Sequence, residues 1–384
     1  MTETKAVPAL LRALNERTVL DAVRSSGPIS RAELARQTGI SRPTVSLVLR
    51  ALLADGLVRE TEHDPDRPHY GATYYEAAPE AAVVLGVDFG ARVVRTAICD
   101  LNGEVRAREE ILSRGSVDER IEVLASSCRS LLRTSKLPPD LLENAVVALP
   151  AVVSPADGRV SSADLPGLGS ADLLEQLEQA LRVPVRLEND VNLAAVAEQR
   201  SGVAQGVADF AFLLVGAGLG AALVLDWKLY RGHHGAAGEL DAVRNGRTDD
   251  VDPCAAAISK HAVEAAAGKT TVLEPPFEVP EIFSAARRGD AVAASIVDET
   301  ARRIALHVLP LAATLDLPLV VLGGNVGANP DLLDPVRRHL DGWLPSPAPR
   351  LEVSALGEAA VIEGALAAGV DAALERVFER RVRA

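Results

Sequence analysis

One pattern of strands and glycine turns occurs twice in this 384-residue chain. Its first copy, VVLGVDFGARVVRTAICDLNGEVRAREE at residues 83–110, predicts a strand, a glycine turn, a strand, an Asn-Gly hairpin turn and a third strand. Its second copy, FAFLLVGAGLGAALVLDWKLYRG at residues 210–232, repeats the buried strand, glycine turn and second strand. Because a helical pattern follows each copy, the sequence predicts a duplicated α/β fold with a cleft between two lobes.

The glycine turns of the two copies allow two interpretations. A glycine-rich turn lets backbone N–H groups approach an anion such as a phosphate. A turn between two strands also needs glycine for purely structural reasons. Each turn by itself leaves both interpretations open.

The N-terminal segment has the signals of two short helices in succession. Ser30 and Glu33 have the spacing of a capping box, which predicts the start of the first helix. Ser41 is placed to cap the second helix, and Pro43 falls in its first turn, where a missing N–H costs nothing. The following stretch LVRETEHDPDRPHYGATYYEA alternates and turns like a two-stranded wing. We predict a winged helix-turn-helix; the alternative is a small helical dimerisation domain with a solvated polar face.

The second helix of this unit is the predicted DNA-recognition helix. Ser41 begins it, and Arg42, Thr44 and Ser46 supply hydroxyl and guanidinium groups that can contact phosphates and base edges. Arg67 lies near the tip of the predicted wing. The expected partner is double-stranded operator DNA.

The distribution of charge restricts where nucleic acid can bind. Residues 1–59 contain nine Lys and Arg against five Asp and Glu, whereas the whole chain has a net charge of −13. Contact with DNA is therefore expected only in the N-terminal segment. The three cysteines lack paired spacing, and we find no signal peptide or membrane span in the sequence. These features predict a soluble cytoplasmic protein with free thiols and no membrane partner.

Five motifs in a fixed order behind the winged helix carry a resemblance. They are GVDFG with a downstream DLNGEV, LENDVNLAAVAE, YRGHHGAAGEL and VVLGGNVG. In this order they resemble the ROK family (repressor, open reading frame, kinase) over essentially the whole chain. The family implies an actin-like, sugar-kinase-type fold of two lobes. Some members phosphorylate sugars with ATP, and members with a winged helix are typically repressors of sugar-utilisation genes.

The resemblance assigns roles to particular residues. Asp190 matches the family's catalytic base, which accepts a sugar hydroxyl proton. Asn189 and Glu239 match sugar-contacting positions, and Asp164 stands where the family usually has a sugar-binding asparagine. The positions that match the nucleotide loops are Asp88 and Gly90 in the first phosphate loop, Gly216, Gly218 and Gly220 in the second, and Gly323 and Gly324 in the adenosine-side turn.

Departures from the family pattern argue against zinc and against phosphoryl transfer. The family's zinc-binding histidine is replaced by Ala242, and one cysteine, Cys254, remains of the cysteine cluster, with His261 nearby; we expect no zinc site because four ligands are needed. Arg92 replaces the threonine of the first phosphate loop and can pair with Asp88 or bind phosphate itself. The second loop lacks its usual threonine. We therefore expect no cofactor and no kinase activity, and Asp190 is expected to be a vestigial base.

Together these features predict a winged-helix regulator that dimerises. We place the DNA-binding domain at residues 1–78, the N-terminal lobe at 79–200 and the C-terminal lobe at 201–384, with the last helix packing back on the first lobe. The expected protein is a repressor with a sugar-like effector, active as a homodimer or a dimer of dimers. The alternatives are an active sugar kinase with a DNA-binding extension and a regulator that uses the fold only as a scaffold. For Asp190 the alternatives to ligand sensing are catalysis and simple capping of the helix beginning near Asn192.

Overall fold

The computed structural model describes residues 6–61, 73–90, 93–113, 115–161, 168–169, 172–240, 251–345 and 347–383. The predicted tip of the wing with Arg67, the residues Arg92 and Asp164, and the segment with Ala242 lie outside the described residues.

The N-terminal unit consists of helices packed beside a small sheet. Its elements are α1 (Ala6–Ser26), β1 (Ile29–Ser30), α2 (Arg31–Thr38), α3 (Arg42–Ala54), β2 (Val58–Thr61) and β3 (Tyr74–Ala77). The capping box forms as predicted: the Ser30 hydroxyl accepts the Glu33 N–H, and the Glu33 carboxylate accepts the Ser30 N–H. Strands β2 and β3 pair antiparallel, and β1 joins the other edge of β3. Helix, turn, helix and hairpin therefore follow each other as in a winged helix-turn-helix.

The first lobe is built on a five-stranded sheet. Its elements are β4 (Val83–Phe89), β5 (Val93–Asp100), β6 (Val105–Leu112), α4 (Val117–Thr134), β7 (Leu142–Leu149), β8 (Val152–Val153), β9 (Val160–Ser161), α5 (Leu173–Leu181), β10 (Val185–Asn189) and α6 (Asp190–Ser201). The strand order is β10-β7-β4-β5-β6, with β4 parallel to β7 and antiparallel to β5. Helices α4 and α5 cover one face through an apolar core.

The second lobe repeats this arrangement. Its elements are β11 (Phe210–Val215), β12 (Leu219–Leu225), β13 (Lys228–Tyr230), α7 (Ala255–Ala266), α8 (Val279–Arg287), α9 (Ala291–Leu315), β14 (Leu319–Gly323), α10 (Gly324–Gly327), α11 (Leu333–Trp343), β15 (Arg350–Val353) and α12 (Ala360–Arg383). The strand order is β13-β12-β11-β14-β15. Counted along each lobe, both sheets have the order third, second, first, fourth, fifth, and the predicted duplicated two-lobed fold is confirmed.

The last helix, α12, packs mainly on the first lobe. It contacts α6, β4 and β7. The approach is close because small residues lie at the crossing: a Cβ on Gly364 would be 1.9 Å from the Leu193 carbonyl oxygen of α6. The Asn144 side chain of β7 also donates a hydrogen bond to the Gly369 carbonyl, at 3.0 Å. Helices α6 and α12 thus form a layer behind the first sheet.

The winged unit shares its hydrophobic core with this layer. Val19, Leu20 and Val23 of α1 belong to the same buried cluster as Leu366 and Val370 of α12. In addition, the Arg24 guanidinium of α1 donates to the Leu101 carbonyl and, at 3.4 Å, to the Asn102 side chain in the hairpin turn of the first lobe. The winged unit is therefore fixed directly to the first lobe. None of the described helices is long and apolar enough to cross a membrane.

Candidate functional site

Asp190 lies at the junction of β10 and α6, at the carboxyl edge of the first sheet. The helix begins at Asp190 itself, and Asn189 is its N-cap: the Asn189 Oδ1 accepts the Asn192 N–H at 3.0 Å. The simple capping interpretation of Asp190 is therefore wrong, because the cap is one residue earlier. The other end of the Asn189 amide donates to the Ala151 carbonyl at 3.2 Å, which fixes the side chain.

The Asp190 carboxyl group is surrounded by other acidic groups. Its Oδ1 accepts the Val191 N–H at 2.8 Å. Part of the residue is exposed, but its carboxyl group is enclosed. Burial, and then the charges of Asp88 and Glu239, raise the pKa of Asp190 to about 7, whereas the hydrogen bond from Val191 lowers it. A carboxyl group with this pKa can change its protonation state near neutral pH, as a general base or a ligand-sensing group would.

Asp88, at the end of β4, is paired with an arginine that we did not predict. Arg95 Nη1 lies 3.1 Å from Asp88 Oδ2, and the same guanidinium contacts Glu110 and Glu358. Burial raises the pKa of Asp88, and the hydrogen bond and charge of Arg95 oppose the rise. Arg95 is directly opposite Asp88 in the antiparallel β4–β5 register. The Asp88 partner is thus a cross-strand neighbour, and the register of the predicted hairpin is the signal that could have identified it.

A second arginine contacts the loop that matches the family's first phosphate loop. Arg120 of α4 is 3 % exposed and donates hydrogen bonds to the Phe89 and Gly90 carbonyls. Its guanidinium lies 4.4 Å from the centre of the Phe89 ring, and burial lowers its pKa. Gly90 is required by close packing, since a Cβ there would be 2.9 Å from the Val93 carbonyl oxygen. The Phe89 and Gly90 carbonyl groups are thus already hydrogen-bonded to Arg120.

The glycines of the second loop and of the adenosine-side turn lie next to each other. A Cβ on Gly216 would be 2.8 Å from the Asn325 side chain, which follows Gly323 and Gly324. A Cβ on Gly323 would overlap the Phe212 ring, and Gly324 has a φ of +82°. Gly220 packs against Val191 at the start of α6. Close packing accounts for these four glycines, whereas Gly218 has open space for a Cβ.

Glu239 belongs to a loop of the second lobe that crosses toward the first. The Gly238 carbonyl accepts a hydrogen bond from the Ala221 N–H of strand β12, with 2.8 Å between the nitrogen and the oxygen. A Cβ on Gly235, in the same loop, would be 2.0 Å from the Val153 carbonyl oxygen of the first lobe. The charges of Asp88 and Glu239 both act on Asp190, so these three carboxyl groups, two from the first lobe and one from the second, lie near one another at the predicted interlobe cleft.

A buried carboxylate beside this cleft was missed by sequence analysis. Glu188 precedes Asn189, is 3 % exposed and accepts hydrogen bonds from Asn192 Nδ2 at 2.9 Å and from Arg231 Nε at 2.8 Å. Arg231 belongs to the second lobe, so this ion pair connects the lobes. The pair borders a cavity of about 400 Å³ along β10, which is also lined by Val153, Ser154, Pro155, Gly158, Leu174 and Arg186.

Among the described residues, the region where the family pattern has zinc ligands offers too few of them for a zinc ion. Cys254 is a buried free cysteine. Within the described ranges, no three or more His, Cys, Asp and Glu side chains are grouped so that they could bind a metal ion. The segment is held by helix α9 instead, because Arg303 donates to the Asp252 carbonyl at 3.0 Å and His307 Nε2 lies 2.9 Å from the Val251 oxygen. The zinc-free state of the protein stays a prediction.

The predicted DNA-contacting residues lie at the start and along the flanks of α3. Ser41 and Arg42 are exposed at the helix tip. Thr44 and Ser46 are half-buried, and the Thr44 hydroxyl hydrogen-bonds the Ser41 hydroxyl at 2.8 Å. The most exposed stripe of the helix contains Leu47 and lies between the face with Thr44 and the face with Ser46. These assignments stay predictions, and Arg67 lies outside the described residues.

Comparison with known proteins agrees with this architecture. The MarR family profile matches residues 13–67, and the ROK family profile matches residues 84–370. The chain is similar to a xylose repressor of Caldicellulosiruptor bescii, with 23% identity over 93% of this chain and 96% of the relative. It is also similar to a glucokinase of Halalkalibacterium halodurans, with 27% identity over 73% of this chain and 93% of the relative.

Two solved structures have the same fold. One is a ROK family transcriptional regulator, a homologue of the Escherichia coli MLC protein, with a TM-score of 0.80 and 21% identity over 97% of this chain and 99% of that one. The other is a ROK family glucokinase from Streptomyces griseus in complex with glucose and AMPPNP, with a TM-score of 0.64 and 23% identity over 76% and 100%. Fold and site thus define a winged-helix protein with a sugar-kinase-like body. The chain belongs to the ROK family.

Proposed function

We propose that the protein is a DNA-binding transcriptional repressor of carbohydrate-related genes whose two-lobed body binds a sugar-like effector. The observation that carries this proposal is the joint placement of the two functional parts. The acidic cleft around Asp190 lies at the start of α6, and α6 packs on α12. Helix α12 in turn shares one hydrophobic core with the winged unit. A ligand that favours one lobe arrangement can therefore change the position of the recognition helix.

The chemistry of the cleft supports a hydroxyl-rich effector. Asp88, Asp190 and Glu239 are acidic, and a carboxylate accepts hydrogen bonds from sugar hydroxyls. An anionic ligand would be repelled by these groups, so a neutral sugar or a cationic amino sugar is favoured. Asp164 and Asn189 are proposed to contribute further contacts. We propose the domain ranges 1–78, 79–200 and 201–384 for this division of labour, and a homodimer or dimer of dimers as the assembly.

The test is an operator-release titration of two variants. DNA fragments bound by the purified protein are recovered from the genome, and a sugar panel is screened by thermal shift, because a ligand that binds the folded state raises its stability. Asp190→Asn should bind the recovered DNA normally but require at least about tenfold more effector for release. Asp140→Asn is the matched control. Asp140 is exposed just before the first residue of β7, at the end of the strands opposite to Asp190. Equal release of both variants by effector would contradict the proposal.

DNA contact is tested separately. Arg42→Ala and Arg67→Ala should each weaken operator binding and reduce its salt dependence, because a lost phosphate contact releases fewer counterions. The operator is expected to be an inverted repeat with half-sites about one helical turn or a multiple apart. Unchanged affinity in both variants would refute the assignment of the recognition helix and wing.

A second candidate function, an active sugar kinase, is favoured by one observation. A pKa of about 7 for Asp190 suits a general base that accepts a proton from a sugar hydroxyl. Against it, Arg95 neutralises Asp88 and Arg120 holds the carbonyls of the first phosphate loop. A coupled ATP-consumption assay over the same sugar panel decides between the two. Sugar-dependent turnover that Asp190→Asn abolishes would establish the kinase; we expect none in either protein.

A further inference from the structure

The solvent-exposed face of the recognition helix α3 carries an apolar side chain near its centre. Pro43, Leu47, Arg50 and Ala54 are exposed and spaced at i, i+4, i+7 and i+11, so they form one stripe. The opposite stripe, which is buried in the winged unit, contains Val45, Val48, Leu49 and Leu52. The middle of the outer stripe is therefore occupied by a leucine and not by a polar residue.

The leucine at the centre of this stripe is largely exposed. Leu47 has 51% of its surface accessible, and the winged unit buries its core without it. A single exposed leucine is ordinary on a protein surface. This one is placed differently, because it lies in the second turn of the helix that a winged helix-turn-helix inserts into the major groove.

Two cationic groups accompany Leu47 on the exposed part of this helix. Arg50 is exposed in the same stripe, and its Nε donates to the Ser46 carbonyl at 3.3 Å, which folds the guanidinium back along the helix. Arg42 is exposed at the helix start. These flanking groups suit phosphates and base edges, so the surface fits a DNA groove with one apolar contact point at its centre.

The major groove offers one apolar group for such a contact, the C5-methyl group of thymine. Cytosine at the same position presents an N4 amino donor, which would lose its water against a leucine without gaining a partner. Building on the proposed DNA-binding function, we propose that Leu47 is a specificity-determining residue that contacts a thymine methyl group in each operator half-site.

The proposal is tested by removing the methyl group from the DNA and the side chain from the protein. A binding site is selected from random-sequence duplexes with the full-length protein, and each thymine of a half-site is replaced in turn by deoxyuridine. Deoxyuridine keeps the hydrogen-bonding pattern and lacks only the methyl group. Replacement at the contacted thymine should weaken binding about fourfold per half-site, the factor expected when the burial of one methyl-sized group is lost.

The protein variants decide whether Leu47 is the cause. Leu47→Ala should bind the thymine and deoxyuridine sites equally at that position, while Leu47→Gln should shift the preference there toward adenine. Leu14→Ala is the matched control, because Leu14 is 59% exposed on α1, and it should retain the wild-type ratio. A thymine-to-deoxyuridine ratio that is unchanged in Leu47→Ala, or absent in the wild type, would overturn the proposal. Failure to enrich any sequence would instead overturn DNA binding itself.

Discussion

Replacing Asp190 by asparagine should stabilise the protein at alkaline pH and leave its stability nearly unchanged at acid pH. The pKa of Asp190 is about 7 in the folded protein, against 3.8 for a free carboxyl group. Because the folded-state pKa is raised, the folded protein holds this proton more tightly than the unfolded chain. The contribution of the protonated Asp190 to the stability of the folded protein is therefore fully present below pH 3.8 and is lost as the pH rises toward 7.

The size of the effect follows from the two pKa values. Each tenfold difference in proton affinity corresponds to about 1.4 kcal/mol, so ionising Asp190 in the folded protein costs at most about 4 kcal/mol. Because part of the residue is exposed, we expect about 2–4 kcal/mol at pH 8. Asparagine has the same shape and no charge, so Asp190→Asn avoids this cost. The melting temperature of the variant should exceed that of the wild type by several degrees at pH 8 and by only about a quarter as much at pH 4.5.

The assay is a series of thermal melts of both proteins from pH 4.5 to 8. Asp290→Asn is the opposing control: the N–H groups of Ala293 and Val272 bond its carboxylate, which lowers the pKa of Asp290. A lowered pKa stabilises the folded protein above pH 3.8, and this contribution is lost as the pH falls. Asp290→Asn should therefore destabilise the protein at pH 8. A difference between wild type and Asp190→Asn that does not change with pH would refute the argument.

Three further predictions concern stability and metal content. Glu198→Ala should lower the free energy of unfolding, measured in urea, by about 2–4 kcal/mol. The fully buried Glu198 carboxylate accepts hydrogen bonds from the Ser354 hydroxyl and two backbone N–H groups, and these donors would lose their partner. A decrease below about 1 kcal/mol would contradict this prediction. Gly364→Ala should destabilise by about 1–3 kcal/mol or more, since its Cβ would meet Leu193, whereas Gly342→Ala, in open space, should not destabilise. Elemental analysis of purified protein should find no stoichiometric zinc, and chelators should leave its melting temperature unchanged.

Much of the fold was predictable because local patterns specify it. Both strand–glycine–strand units form the predicted hairpins, and the Ser30 capping box and the Ser41 cap begin α2 and α3. The resemblance to the ROK family was confirmed over residues 84–370. Periodicity and capping act over a few residues, so they can be identified without knowing the tertiary structure.

The partners of the site residues were less predictable. Arg95 beside Asp88 follows from strand register, and Arg120 beside Gly90 comes from a helix thirty residues further along the chain. Glu188, in the same LENDVN stretch as Asp190, was overlooked because its partner Arg231 belongs to the other lobe. No local pattern indicates a pairing over 43 residues.

The sequence by itself thus determined the winged helix-turn-helix, the two strand–glycine–strand units and the existence of two similar lobes. Only the tertiary structure decided that Asn189 caps α6 and leaves the Asp190 carboxyl enclosed beside Asp88 and Glu239. It alone also decided that Leu47 faces outward at the centre of the recognition helix. The physical reason is that the burial of a group, and the electrostatic effect of other charges on it, depend on residues from distant parts of the chain. Only the folded packing fixes which of these residues meet.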